Sequence, residues 1–66
     1  MLQQERLHRI QALLSRVQRL TTERIMNELN TSRETARRDI IELDAMGLAR
    51  RVHGGIVSIE DVATEA

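Results

Sequence analysis

The sequence predicts a mainly α domain with a small β-hairpin, arranged as a winged helix-turn-helix of three helices plus a wing. Two stretches with apolar residues at helical spacing are separated by only about three residues, which is typical of a helix-turn-helix unit. After Gly47, apolar and polar residues alternate, which indicates a hairpin. The chain has 66 residues, which is enough for one small domain. It has no cysteine, so this domain contains no disulfide.

The first helix is predicted from about Leu2 to Ser15, because apolar residues recur there on one helical face. The next segment, residues 17–20, is too short for a helix and is a candidate for a small strand. The apolar residues that recur at helical spacing in the first helix are Leu7, Ile10, Leu13 and Leu14.

The second helix is predicted over about residues 22–29 and begins after a hydroxyl residue. Thr21 is expected to cap it, because a threonine oxygen can accept a hydrogen bond from an unpaired N–H group of the first turn. Asn30 suits the left-handed conformation that ends a helix. The residues expected to face inward are Ile25, Met26 and Leu29.

The third helix is predicted from about Arg33 to Met46, with Ser32 as its N-cap and Gly47 just beyond its end. With its apolar stripe turned inward, Thr35 and Arg38 are expected to point almost directly away from the core. The exposed N-terminal half of this helix is therefore rich in arginine. The inward stripe is Ala36, Ile40 and Leu43.

Residues 48–57 are predicted to form the wing, with Gly54-Gly55 as its two-residue turn. A His-Gly-Gly run can also line an oxyanion hole, but no nucleophile stands ready to use one. The domain is expected to span residues 1–57, followed by a linker or tail over residues 58–66. In the first strand of the wing, one face carries Leu48 and Val52, and the other carries Ala49 and Arg51.

Charge is unevenly distributed along the chain, although the formal net charge is zero. Residues 1–53 carry ten arginines against seven acidic residues, or +3, and residues 54–66 carry three acidic residues, or −3. All the basic residues are arginines, whose planar guanidinium matches phosphate and guanine edges better than an ammonium does. A codon bias toward arginine is the alternative explanation, so composition alone leaves a polyanion partner open.

Catalysis, metal binding and membrane insertion find no support in the sequence. The two imidazoles, His8 and His53, fall on different elements, and no zinc-ligand spacing accompanies them. We therefore expect no enzyme, no metal and no cofactor. A long apolar run and a signal-peptide layout are both missing, so no membrane partner is expected.

Candidate nucleic-acid contacts concentrate at the start of the third helix, the part of a recognition helix that meets base edges in the major groove. Ser32 can help to hold a phosphate, and Thr35 can bond a base or touch a thymine methyl. Arg37 or Arg38 can bond guanine bidentately or pair with phosphate, and the sequence does not divide these roles. The alternative is a solvated face, on which Arg38 only pairs with the acidic residues four positions away on either side.

On the wing, Arg51 and His53 share one face and can reach the DNA backbone or the minor groove. In the alternative interpretation, His53 only shapes the turn through a hydrogen bond to the backbone. Asp39 weakens the positive field, and it is expected to orient a neighbouring arginine or to cap backbone N–H groups elsewhere, with a direct contact to cytosine as the less favoured alternative. The full set of predicted DNA contacts is Thr21, Ser32, Arg33, Thr35, Arg37, Arg38, Arg51 and His53.

The segment TSRETARRDIIELDAMGLARRVHGG, Thr31 to Gly55, resembles the helix-turn-helix of the DeoR family of bacterial transcriptional regulators. The resemblance extends over roughly residues 5–57 and rests on an Arg-Arg-Asp element followed by an Arg-apolar-His-Gly-Gly wing. The matching positions are Ser32, Thr35, Arg37, Arg38, Asp39, Leu43, Gly47, Arg51, His53, Gly54 and Gly55.

The resemblance implies a repressor that acts on a double-stranded DNA operator in the bacterial cytoplasm, at the nucleoid. It places the recognition helix, about residues 33–46, in the major groove and the wing, residues 48–57, on the backbone or in the minor groove. DeoR-type regulators mostly control sugar and nucleoside catabolism. They carry a larger C-terminal domain that oligomerises and senses a phosphorylated sugar. This chain is thus expected to be the DNA-binding part of a longer homo-oligomer.

The alternative function is a winged-helix module for protein contacts, since one fold serves several functions. Such a module would present an exposed apolar patch where the sequence places arginines. Ile41 is the one apolar residue expected on the outward side of the third helix.

Overall fold

The computed structural model describes residues 1–59 and contains, within them, three helices and one three-stranded sheet. The predicted mainly α winged helix-turn-helix is confirmed. Of the expected linker, Ser58 belongs to the last strand and Ile59 is exposed, while residues 60–66 lie outside the described residues. The elements are α1 (Gln3–Val17), β1 (Arg19–Thr21), α2 (Thr22–Leu29), α3 (Arg33–Ala45), β2 (Ala49–Val52) and β3 (Gly55–Ser58).

Both predicted N-caps of the helix-turn-helix are confirmed. Thr21 Oγ1 accepts a hydrogen bond from Arg24 N at 3.0 Å, and Ser32 Oγ accepts one from Thr35 N at 3.2 Å. Asn30 ends α2 in the left-handed conformation, with φ of 54°. The short turn between α2 and α3 is thus fixed at one end by Asn30 and at the other by the Ser32 cap.

The other two helix ends differ slightly from the prediction. α1 continues to Val17, because Gln18 adopts a left-handed φ of 68° and donates its N–H to Leu14 O at 2.8 Å. α3 stops just before Met46, which caps it, and Gly47 then reverses the chain with φ of 75°. The reversal leads directly into β2.

The sheet is antiparallel with β3 in the centre, in the order β1-β3-β2. β1, predicted as a short strand over residues 17–20, lies at Arg19–Thr21 because α1 includes Val17, and it pairs with β3 so that Leu20 lies opposite Ile56. A hydrogen bond from Ser58 N to Gln18 O, at 2.7 Å, extends this pairing beyond the strand. The wing is therefore tied to the segment between α1 and α2 and does not project as a free hairpin.

The predicted turn of the wing is wrong by one residue. The turn is formed by His53-Gly54, whereas Gly55 lies in β3 and pairs with both Val52 and Thr21. Because Gly55 also pairs with Thr21 of β1, its backbone must be extended. It therefore belongs to the strand and not to the turn. Gly54 alone supplies the positive φ, 82°.

The core is aliphatic and lies between the three helices and the sheet. In β2 the buried residue is Ala49, while Leu48 and Val52 are each 41% exposed. α3 packs directly against β2, and this close approach suits a small side chain. The clustered core residues are Leu7, Ile10, Leu14, Leu20, Ile25, Leu29, Ala36, Ile40, Leu43, Ala49 and Ile56.

One charged side chain, Asp39 of α3, is fully buried among residues 1–59. Its carboxylate accepts hydrogen bonds from Arg6 Nε at 2.6 Å, from Arg6 Nη2 at 3.3 Å and from Gln3 Nε2 at 3.3 Å. The expected arginine partner therefore comes from α1. This hydrogen bond raises the pKa of Arg6 above its ordinary value, so the guanidinium remains charged and ties α1 to α3.

Candidate nucleic-acid interface

An open cleft of about 460 Å³ lies between the exposed side of α3 and residues 51–55 of the wing, and we call it the helix–wing cleft. On its α3 side, Arg33, Arg37 and Ile41 form an exposed stripe at four-residue spacing, with the buried Ile40 beside it. Residues four apart share one face of a helix. Across the described residues, no carboxylate lines this cleft. The lining residues are Thr22, Arg33, Arg37, Ile40, Ile41, Arg51, Val52, His53, Gly54 and Gly55.

The wing is held against the helices by two polar contacts that the sequence did not predict. The Thr22 N–H and hydroxyl both donate to Gly54 O, at 2.9 and 3.2 Å. Arg51 N donates to Asp44 Oδ1 at 3.2 Å. A carboxylate near a helix C-terminus interacts unfavourably with the helix dipole. The position of Asp44 therefore indicated that its carboxylate has a hydrogen-bond donor from another element. Thr22 carried no comparable signal.

The hydroxyls at the start of α3 bond to each other as well as to the backbone. Ser32 Oγ accepts from Thr35 N and donates to Thr35 Oγ1 at 3.1 Å. Thr35, expected to point straight outward, is half-buried because of this contact. The Thr35 hydroxyl proton is left to donate to a phosphate or a base.

The arginines of α3 differ in their acidic partners. Arg33 pairs with Glu23 of α2 at 3.1 Å, and Arg38 pairs with Glu34 at 3.2 Å. The hydrogen bond from Arg33 is the main cause that lowers the pKa of Glu23. Arg37 has no acidic partner within residues 1–59. Exposed pairs of this kind are weak, so a phosphate can replace either carboxylate.

The structure brings together most, but not all, of the predicted contact residues. Four of them line the helix–wing cleft, and Ser32 and Thr35 lie at the start of α3. Arg38 is exposed on a neighbouring face of α3. Of its two predicted ion-pair partners, it pairs with Glu34 and not with Glu42. Thr21, the cap of α2, lies outside the lining of the cleft. The four residues in the cleft are Arg33, Arg37, Arg51 and His53.

His53 occupies the first position of the wing turn, with its side chain exposed. In the part of the chain that the structure describes, the His53 side chain makes no hydrogen bond to the backbone. Such a bond would have given it a structural role in the turn. The imidazole therefore stands at the mouth of the cleft without a partner in residues 1–59.

No helix in residues 1–59 combines the length and the apolar character needed to cross a membrane. Likewise, no cluster of three or more His, Cys, Asp or Glu residues suited to a metal ion occurs among the described residues.

A short turn between α2 and α3, an arginine-bearing α3 and a basic wing define a winged helix-turn-helix domain of the DNA-binding class. The model of the DeoR-like helix-turn-helix domain matches residues 6–62 of the chain. The chain therefore belongs to the DeoR family, as its resemblance implied.

Curated relatives of this family are similar over most of the chain. The HTH-type transcriptional repressor GlcR of Bacillus subtilis is 42% identical over 86% of the chain and 22% of its own length. The transcriptional repressor AccR of Agrobacterium fabrum is 42% identical over 94% of the chain and 24% of its own length. The HTH-type transcriptional regulator GlpR of Haloferax volcanii is 40% identical over 98% of the chain.

The chain spans only about a fifth to a quarter of the length of these curated relatives. No solved structure matches it significantly.

Proposed function

We propose that this chain binds a double-stranded DNA operator with sequence specificity, as the DNA-binding domain of a DeoR-type transcriptional repressor. The observation that carries the proposal is the helix–wing cleft, which is lined by three arginines and by no carboxylate of residues 1–59. The start of α3 enters the major groove, and the wing lies against the backbone or the minor groove. Such a charged lining does not suit the alternative of a module for protein contacts.

The relatives support the wider assignment through their names, which describe repressors or regulators of transcription. We propose residues 1–57 as the DNA-binding unit and residues 58–66 as the start of a linker. In the whole protein, a further domain would form the homo-oligomer and bind a phosphorylated sugar. Binding to an operator in the bacterial nucleoid would place the protein in the cytoplasm.

The test of this proposal is selection of bound duplexes from a random pool, followed by affinity measurements at several salt concentrations. We expect one sequence pattern to be enriched. Roughly four to five phosphate contacts would give a slope of about −4 in log affinity against log salt. A pool without enrichment, or an affinity independent of salt, would contradict the proposal.

The Arg37→Ala variant is expected to weaken binding to the selected duplex by about 1–3 kcal/mol. Arg37 is the arginine on the α3 side of the cleft that has no carboxylate partner in residues 1–59, so a DNA acceptor can engage it without breaking an ion pair. Arg16→Ala is the matched control, because it removes the same charge from α1, outside the cleft. Titration of labelled duplex gives both affinities, and equal losses would assign the effect to net charge.

The His53→Ala variant is expected to keep the melting temperature and to lose about 0.5–1.5 kcal/mol of DNA affinity. The side chain is exposed and has no hydrogen bond that would stabilise the turn within residues 1–59, so only an external contact is lost. A backbone contact predicts the same loss on selected and on unrelated duplexes. The interpretation fails if the melting temperature falls while the folded fraction binds as tightly as before.

A further inference from the structure

The arginine stripe of α3 ends in an apolar residue. Ile41 follows Arg33 and Arg37 at the same four-residue spacing, and its side chain is 49% exposed. Val52 of the wing is 41% exposed and lines the same cleft. Two apolar side chains from different elements thus meet solvent beside the charged groups.

The position of Ile41 limits what it can contact in DNA. At about 1.5 Å of rise per residue, it lies about 6 Å beyond Arg37 along the helix. Base pairs are stacked about 3.4 Å apart, so this distance corresponds to no more than about two base pairs. In the major groove the apolar group on a base edge is the C5-methyl of thymine.

We propose that Ile41 determines specificity by packing against a thymine C5-methyl, within about two base pairs of the contact made by Arg37. This inference rests on the proposed DNA-binding function and extends it to a chemical group on the partner. The Ile41 side chain and the methyl group both lose contact with water when they pack together, and this burial is the source of the discrimination.

The test replaces each thymine of the selected duplex in turn by deoxyuridine, which removes only the methyl group. For the unaltered chain, one replacement is expected to weaken binding about fourfold, the value of one buried methyl-sized group. The Ile41→Ala variant is expected to bind both duplexes equally. Alanine favours the helix at this exposed position, so the variant should fold, which its circular dichroism spectrum will verify.

Two further variants act as controls. Ile41→Leu keeps the apolar contact and is expected to restore the preference for thymine. Met46→Ala removes a side chain of similar exposure that lies outside the cleft, and it is expected to leave the fourfold ratio unchanged.

Two outcomes would overturn the inference while leaving DNA binding intact. One is a selected duplex whose affinity is insensitive to every single deoxyuridine replacement. The other is a deoxyuridine effect of equal size in the unaltered chain and in Ile41→Ala. If the unaltered chain showed no sequence-specific binding at all, that result would contradict the proposed function itself, and this inference with it.

Discussion

Replacing Arg6 by methionine is expected to lower the free energy of unfolding by about 3–5 kcal/mol. The variant leaves the Asp39 carboxylate fully buried, with the Gln3 amide as its remaining partner among residues 1–59. A small domain has about 0.05–0.15 kcal/mol of stability per residue, so this loss removes much of the total. Unfolding in urea is best followed by far-ultraviolet circular dichroism, since the chain has no aromatic residue.

The size of this effect depends on which partner is removed. Asp39→Asn keeps the shape of the side chain and leaves Arg6, 15% exposed, able to reach water, so a smaller loss is expected. Replacing both partners by apolar residues, Arg6→Met with Asp39→Leu, should recover most of the stability. A single Arg6→Met variant as stable as the unaltered chain would show that the pair contributes nothing to the junction of α1 and α3.

The features that the sequence predicted well are those fixed by neighbouring residues. The caps at Thr21 and Ser32, the left-handed Asn30 and the reversal at Gly47 all depend on groups within a few positions. The apolar stripe of α3 follows from helical periodicity alone. For that reason the bounds of α2 were predicted correctly and those of α3 to within one residue.

The features that were missed join distant segments of the chain. Arg6 and Asp39 are 33 positions apart, and no local pattern links them. The pairing of β1 with β3 also escaped prediction, because three residues cannot specify a strand partner. That pairing is what displaced Gly55 from the turn into the sheet.

The candidate interface was predicted only in part from the sequence. Helical periodicity was enough to place Arg33 and Arg37 on exposed surface, but not to show that they face the wing. Their common cleft depends on the fixed position of the wing, which comes from the contacts of Thr22 and Asp44. The DNA contacts of individual residues remain predictions, to be tested by the variants described above.

The Gly55→Ala variant is expected to lose about 3 kcal/mol of stability, because β1 runs directly beside this glycine. A Cβ at Gly55 would collide with the carbonyl oxygen of Leu20 and lie only 3.0 Å from Thr21 Cα. These are backbone atoms, so no side chain can move aside to accommodate the methyl group. Relief requires β1 to separate from β3, which also disturbs the Thr22 hydrogen bonds that hold the wing. DNA affinity should therefore fall together with the melting temperature.

The other two glycines provide controls that separate crowding from backbone strain. Gly54 and Gly47 have positive φ values of 82° and 75°, and open space surrounds the position of a Cβ at each. Alanine at either site should lose only about 1–2 kcal/mol, the cost of the left-handed conformation. Thermal melts and duplex titrations of the three variants would show Gly55→Ala as the most damaging on both measures. If Gly54→Ala proved equally damaging, the need for glycine in the wing would lie in the turn and not in the close approach of β1.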